Sequence, residues 1–82
     1  MNDEQININL SKVFSDILDV KEFKMSLTMD EVQEWDSLKH IQLLSAIEDA
    51  FRIEIQFEDA IEMISVKSII SKIKMYITKD ND

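Results

Sequence analysis

Cysteine, glycine and proline are all absent from this chain of 82 residues. The lack of cysteine excludes a disulfide framework, a thiolate nucleophile and a cysteine-bound metal. The lack of glycine excludes the glycine-rich loops that hold nucleotide phosphates, and without proline the chain has few signals for sharp turns. Any thiol chemistry would therefore depend on a sulfur atom that is supplied from elsewhere.

Long apolar runs and basic charge are also scarce. The N-terminus is acidic and no long apolar stretch follows it, so we expect no signal peptide and no membrane span, and predict a cytoplasmic protein. The net charge is −8, although the last twenty residues carry two acids and four lysines. This balance disfavours nucleic-acid binding, which needs lysine and arginine. The negative charge suits partners with basic surfaces, although it could equally serve only solubility. Because like charges repel, it also favours a monomer.

The length allows one domain with one small core, predicted over residues 1–82. Three segments show the apolar periodicity of helices. The alternation at the start of the first segment leaves a strand as a less favoured alternative there. The second helix is predicted over Ser37–Phe51, and the third begins at Ser65, a good N-cap residue. The apolar faces of the first and third helices consist of Ile6, Leu10, Val13, Phe14, Ile17 and Leu18, and of Val66, Ile69, Ile70, Ile73 and Ile77.

Two connections complete the predicted fold. Residues 21–36 form a long loop whose apolar side chains are expected to pack against the helices. Residues 57–63 are predicted to form a short helix of one or two turns, preceded by the inward-facing Ile53 and Ile55. The fold prediction is all-α: a four-helix bundle of three main helices and one short helix, with a long loop between helices one and two. The apolar residues of that loop are Phe23, Met25, Leu27, Met29, Val32 and Trp35.

The junction between the long loop and the second helix reads Trp-Asp-Ser-Leu-Lys-His. Ser37 is predicted at the start of that helix, where free backbone N–H groups and the positive end of the helix dipole favour a phosphate. A serine or aspartate at this position is usually only a helix cap, and position alone favours that interpretation. Neither Asp36 nor Ser37 has glutamate or glutamine three residues later, so no capping box supports it.

The sequence from Trp35 to about Ile77 resembles the acyl carrier protein family. The segments that carry the resemblance are Asp36-Ser37-Leu38, the amphipathic helix that follows, Ile53-Glu54-Ile55, Glu58-Asp59-Ala60 and Ser65-Val66. The Trp-Asp-Ser-Leu-x-His form is similar to discrete carriers of specialised pathways. Carriers of housekeeping fatty-acid synthesis typically have a glycine shortly before Asp-Ser-Leu, where this chain has Glu34 and Trp35.

The resemblance implies that Ser37 receives 4'-phosphopantetheine from coenzyme A through a phosphopantetheinyl transferase, with Asp36 in the zone which that enzyme recognises. The thiol of the arm would carry acyl or aminoacyl groups as thioesters, which loading and transferring enzymes make and break. The chain itself would be a non-catalytic carrier. The residues implied to contact partners are Leu38, Ile41, Glu48, Asp49, Glu58, Asp59, Ala60 and Met63.

His40 is the only histidine. It has no cysteine or second histidine with which to share a metal, so we expect no metal site and predict a surface or partner-contact role for it. Two other functions compete with a carrier. An unmodified adaptor, which binds partners through its acidic face, remains the alternative to a carrier. A small enzyme is disfavoured, because no nucleophile–base pair, metal set or cofactor loop is recognisable.

Overall fold

The computed structural model describes residues 1–80, and for residues 79 and 80 it describes the backbone alone. Within that range the chain forms four helices, namely α1 (Asp3–Leu18), α2 (Ser37–Phe51), α3 (Phe57–Ala60) and α4 (Val66–Asp80). Residues 1–80 contain no strand apart from one isolated bridge, so the all-α prediction is confirmed. The radius of gyration is 11.7 Å, as expected for a compact chain of this length.

Helix α1 begins with a capping box. The Asn2 side chain accepts a hydrogen bond from the Gln5 amide at 2.8 Å, and the Gln5 side chain accepts one from the Asn2 amide at 3.2 Å. Both amides would otherwise lack a partner in the first helical turn. The alternative of a strand at this position is therefore wrong. The predicted apolar face points inward, with Ile17 half-buried and the other five residues buried.

Helix α2 has the predicted bounds. Its buried stripe consists of Leu43, Ile47 and Phe51, which are spaced four residues apart and therefore share one face. Helix α1 packs against α2. The two helices end in left-handed residues, Asp19 (φ 54°) and Arg52 (φ 55°). Each of these residues donates its amide to a carbonyl of the last helical turn, so both helices stop without a glycine.

An aromatic cluster fastens the long connection between α1 and α2 to the core. Trp35 is 2 % exposed, and its ring meets Phe14 of α1 edge-on with the ring centroids 5.3 Å apart. Phe23 contacts Phe14 in a similar way at 5.3 Å. The expectation for Met25 is wrong: its side chain is exposed, because it lies within a turn closed by the Leu27 amide and the Lys24 carbonyl. The remaining apolar residues of the connection, Leu27, Met29 and Val32, are half-buried.

Helix α3 is a single turn, and α4 begins where predicted. The Ser65 hydroxyl accepts a hydrogen bond from the Ser68 amide at 3.0 Å, which is the expected cap. The α4 face formed by Val66, Ile69, Ile70 and Ile73 is buried, and Ile77 is half-buried. Ile53, before α3, is buried as predicted, whereas Ile55 is only half-buried.

A short backbone ladder joins the long connection to the start of α4. Thr28 and Ser65 form an antiparallel bridge. The Met29 amide donates to the Ile64 carbonyl at 2.8 Å, and the Val66 amide donates to the Leu27 carbonyl at 3.0 Å. The long connection is thus held near both ends by the aromatic cluster, through Phe23 and Trp35, and near its middle by this bridge.

Candidate functional site

Asp36, and not Ser37, caps helix α2. The backbone of Asp36 is extended, and its carboxylate accepts a hydrogen bond from the Lys39 amide at 2.8 Å. The Asp36 carbonyl accepts the first bond of the helix from the His40 amide, also at 2.8 Å. Because one N-cap residue suffices for one helix, the interpretation of Ser37 as a structural cap loses its basis.

Ser37 is the first residue inside the helix, and its side chain is exposed. Within residues 1–80, the Ser37 hydroxyl has no hydrogen-bond partner, and the amides of Ser37 and Leu38 have no acceptor. The first amides of a helix commonly remain unpaired in this way and attract anions. The structure therefore leaves at this point an exposed hydroxyl oxygen that holds no other described group in place.

These surroundings fit a phosphodiester on the Ser37 oxygen. The two unused N–H groups and the positive end of the α2 dipole favour negative charge there. The negative charge of Asp36 repels a phosphate at this position, but the Asp36 carboxylate is already bound to the Lys39 amide. The positively charged side chain of Lys39, two residues after Ser37, attracts the phosphate. The phosphate would remain in contact with water, so no desolvation opposes its charge.

Four large apolar side chains are exposed on α2 and around α3. Leu38 and Ile41 of α2 are 63 % and 66 % exposed, and Phe57 and Ile61 are 75 % and 61 % exposed. Leu38 and Ile41 are three residues apart on one helix face, and the Ile61 amide donates to the Phe57 carbonyl, which puts these two residues one turn apart. We call these four residues the α2–α3 patch.

A groove of about 320 Å³ runs between α2 and α3. Ile41 and Phe57 of the patch both line it, together with Leu44, Ile55 and Ala60. The groove therefore links the two halves of the patch.

The prediction of an apolar surface at Leu38 and Ile41 agrees with their exposure, but Phe57 and Ile61 were missed. The sequence did contain a signal for this exposed pair, because Phe57 and Ile61 are four positions apart in a segment that is otherwise rich in acidic residues.

The acidic residues implied to contact partners differ in their availability. Asp49 and Glu58 are exposed. Glu48 is half-buried and accepts a hydrogen bond from the Ile55 amide at 2.9 Å, so its carboxylate holds the segment before α3. Asp59 is half-buried, and its carboxylate binds Lys72 at 2.8 Å and also accepts a hydrogen bond from the Tyr76 hydroxyl, so a partner contact by this residue stays a prediction.

Met63 also lies in a different place from the implied one. Its side chain is completely buried in the core, because the turn that follows α3 brings it underneath the helix. A partner contact by Met63 is therefore a wrong prediction for this conformation. Ala60 is half-buried at the edge of the groove, and its carbonyl lies 3.1 Å from Nε2 of His40.

His40 is not the surface residue that we expected. It is half-buried, and its Nδ1 accepts a hydrogen bond from the Trp35 indole N–H at 2.9 Å. Its Nε2 faces the Ala60 carbonyl, so one side chain of α2 contacts both the long connection and α3. The distance of five residues between Trp35 and His40 gives no local reason for this pairing. It depends on the path of the loop.

A polar network fastens the short helix α3 to α4. The Lys72 ammonium group binds Asp59 at 2.8 Å and Glu62 at 3.0 Å. Hydrogen bonds to Asp59 and Glu62 raise the pKa of Lys72 above its ordinary value. The Tyr76 hydroxyl accepts a hydrogen bond from the Gln56 amide at 2.8 Å and donates to Asp59. Burial raises the pKa of Tyr76, and the bond to Asp59 raises it further.

Tyr76→Phe is expected to lower the free energy of unfolding by about 1 kcal/mol at neutral pH, because Gln56 and Asp59 both lose a partner. The pKa of Tyr76 is raised in the folded protein, so this contribution is complete below pH 10.0, the ordinary tyrosine value. It is lost as the pH rises through the raised value, where the phenol gives up the proton that it donates to Asp59.

Urea unfolding of both proteins at neutral and strongly alkaline pH measures this difference. Lys72 is present in both, so its own deprotonation affects both curves in the same way. The two stabilities are expected to converge at high pH. A difference that persists unchanged would show that the Tyr76 proton does not contribute.

No protein-family model matches this chain, and no curated protein matches it significantly. In the part of the chain that the structure describes, no group of three or more histidine, cysteine, aspartate or glutamate side chains could hold a metal ion. No helix within residues 1–80 is long and apolar enough to cross a bilayer.

Proposed function

We propose that this chain is an acyl carrier protein, which bears a 4'-phosphopantetheine arm on Ser37 and presents acyl or aminoacyl groups to other enzymes. The observation that carries the proposal is the exposed Ser37 hydroxyl, which has no partner within residues 1–80. A serine that only capped the helix would have its oxygen on a backbone amide, and Asp36 already has that role.

The residues around Ser37 have separate tasks in this proposal. When bound, the arm supplies a thiol that carries acyl groups as thioesters, for which this cysteine-free chain has no side chain of its own. The amides of Ser37 and Leu38 stabilise the phosphate charge. Leu38 and Ile41 offer apolar surface beside the attachment point. The chain catalyses no reaction, because the transferase activates the serine.

The proposal includes the architecture and the partners. The four helices form a bundle that is completed by the long connection between α1 and α2, and the protein is a cytoplasmic monomer. Its partners are a phosphopantetheinyl transferase, which recognises the surface around Asp36, and the enzymes that load and transfer acyl groups. The α2–α3 patch, together with the exposed carboxylates of Asp49 and Glu58 on the same two helices, fits docking surfaces that have an apolar centre and a basic rim.

One observation favours a second candidate, an unmodified adaptor. The α2–α3 patch gathers four large apolar side chains with most of their surface in water, and such surfaces commonly bind other proteins. An adaptor would use this patch without any group on Ser37. It gives no reason, however, for an unpartnered serine directly after the helix cap.

Intact-protein mass spectrometry separates the two candidates. The folded chain is incubated with coenzyme A, Mg²⁺ and a broad-specificity phosphopantetheinyl transferase, with an established carrier protein as positive control. A carrier gains the mass of one phosphopantetheine. An unchanged mass, with a fully converted control, would overturn the carrier proposal and leave the adaptor.

A further inference from the structure

Three large apolar side chains face water along α3 and the turn that follows it. Phe57 is 75 % exposed, Ile61 is 61 % exposed and Ile64 is 49 % exposed. Ile61 lies one helical turn after Phe57, and Ile64 follows three residues later. Single exposed apolar residues are ordinary, but a run at such spacing commonly marks a surface that binds another molecule. We call these three residues the α3 strip.

Contacts on the opposite side of α3 keep the strip directed outward. Met63 is buried in the core, and the Asp59 carboxylate is bound to Lys72 of α4. The Ala60 carbonyl lies 3.1 Å from Nε2 of His40 on α2. Helix α3 is thus tied to both long helices, although it buries no residue of its own. Because these contacts already hold the backbone, a partner meets a surface that needs little ordering on binding.

A cavity opens at each end of the strip. Phe57 lines the groove between α2 and α3 that is described above. Ile64 lines another cavity of about 310 Å³, to which the long connection contributes Thr28, Met29 and Asp30. Each volume is about ten times the share of one molecule in liquid water, so each cavity can hold one bulky apolar side chain of a partner.

The separation of the two cavities fits a partner helix. Hydrogen bonds of helical type continue from α3 to the Met63 amide. The chain from Phe57 to Ile64 therefore extends about 10 Å, at the helical rise of about 1.5 Å per residue. Two side chains seven positions apart on one face of another helix have the same separation. Such a helix can place one apolar side chain in each cavity and cover Ile61 between them.

The charge around the strip indicates that this helix is basic. Residues 53–65 contain four acids and no lysine, arginine or histidine. Glu58 and Glu62 directly follow Phe57 and Ile61 along the chain, and both are exposed. Like charge opposes a second copy of this chain, which would bring the same acids to the contact, and it also opposes an anionic bilayer. Lysine or arginine side chains beside the apolar face of a partner are attracted instead.

We propose that the α3 strip binds a basic amphipathic helix of a partner protein, with one apolar side chain in each cavity and lysine or arginine side chains opposite Glu58 and Glu62. The inference rests on the proposed function for the docking role of the α2–α3 patch, and it deepens that role by naming the kind of partner. The strip itself needs no group on Ser37, so this contact is separable from the arm.

Binding of a synthetic helical peptide to the unmodified protein tests the proposal. The probe is a labelled peptide of leucine and lysine, about 18 residues or five helical turns long, with all leucines on one face. A peptide of the same composition, with its leucines spread around the helix, measures non-specific attraction to an acidic protein. At physiological salt the amphipathic probe is expected to bind at least about tenfold more tightly, because only this peptide buries apolar side chains in both cavities.

Phe57→Ser and Ile61→Ser are the test variants. Each is expected to weaken binding of the amphipathic probe by about tenfold or more, since each removes a large apolar contact. Ile8→Ser and Met75→Ser are the matched controls, because these side chains are about half exposed but lie on α1 and α4. Leu38→Ser separates the strip from the apolar surface beside the attachment point. The three controls are expected to change the affinity by less than about twofold.

Glu58→Gln tests the contribution of charge. It keeps the size of the side chain, and it is expected to weaken binding by about twofold to fivefold and to reduce the salt dependence of the affinity. Glu22→Gln, at an exposed glutamate of the long connection, is the matched control and is expected to leave both quantities unchanged.

Four results would overturn the proposal. The first is equal affinity for the two peptides, and the second is wild-type affinity in folded Phe57→Ser and Ile61→Ser. The third is sedimentation of the free chain as a dimer that Phe57→Ser dissociates, which would assign the strip to a second copy. The fourth is cosedimentation with phosphatidylcholine vesicles that Phe57→Ser abolishes, which would assign it to a bilayer.

Peptide titration of the wild-type protein, followed by NMR of its backbone amides, keeps the proposal testable if a variant fails to fold. Shift changes are expected at residues 57–64 and at Met29 and Asp30, and changes confined to other residues would contradict the proposal. None of these measurements uses the transferase. Failure of the peptide contact is therefore distinguishable from failure of the carrier proposal, which intact mass decides.

Discussion

Ser37→Ala is expected to abolish the gain of phosphopantetheine completely while the fold remains intact. The side chain is exposed and its oxygen bonds to no residue of the range 1–80, so the substitution removes the acceptor oxygen and little else. Asp36 keeps its bond to the Lys39 amide in the variant, so the helix keeps its cap. The free energy of unfolding should therefore change by no more than about 0.5 kcal/mol, less than loss of a helix cap would cost.

Ser71→Ala is the matched control for this variant. Ser71 is an exposed serine on α4, so its replacement makes the same chemical change on another helix. Intact mass after the transferase reaction and urea unfolding are measured for both variants and for the wild-type protein. Full conversion of Ser71→Ala with no conversion of Ser37→Ala is the expected pattern. An adduct that persists in folded Ser37→Ala would assign the modification to another residue.

Phe14→Ala is expected to destabilise the protein by about 3–5 kcal/mol, because it leaves a cavity where three aromatic rings meet. Phe14 is completely buried, and its ring contacts both Phe23 and Trp35 edge-on. Small domains have total stabilities of about 5–15 kcal/mol, so this loss is a large part of the whole. It should also loosen the long connection, which this cluster holds in place.

Urea unfolding followed by far-ultraviolet circular dichroism measures this effect without relying on the Trp35 signal. Ile8→Ala serves as the control, since Ile8 lies on the same helix with about half of its surface exposed. It is expected to change the stability by no more than about 0.5 kcal/mol. Similar losses in the two variants would mean that the aromatic cluster does not dominate the core.

Helical periodicity was sufficient to predict most of the secondary structure. The bounds of α2 follow from the regular spacing of Leu43, Ile47 and Phe51, and the start of α4 follows from Ser65, since both signals are local. The exposed position of Ser37 at the first turn of α2 was likewise predictable. These features depend on residues within a few positions of one another, which a linear sequence displays directly.

The features that were missed depend on how distant segments meet. Met63 follows a one-turn helix, and the turn after that helix decides whether its side chain faces water or the core. Asp59 has an ordinary acidic sequence context, and only the packing of α4 brings Lys72 and Tyr76 to it. The contact of His40 with Trp35 likewise requires the loop to turn back over α2.

The bridge between Thr28 and Ser65 has a consequence for how such a chain could evolve. It holds side by side the two ends of a segment that includes α2, α3, Ser37, His40 and the whole α2–α3 patch. The polypeptide therefore enters and leaves this segment at one place, as in the insertions that domains tolerate best. The sequence and length of this segment can therefore change without moving its two ends apart, provided that its inward residues, such as Leu43, Ile47 and Met63, still fill the core.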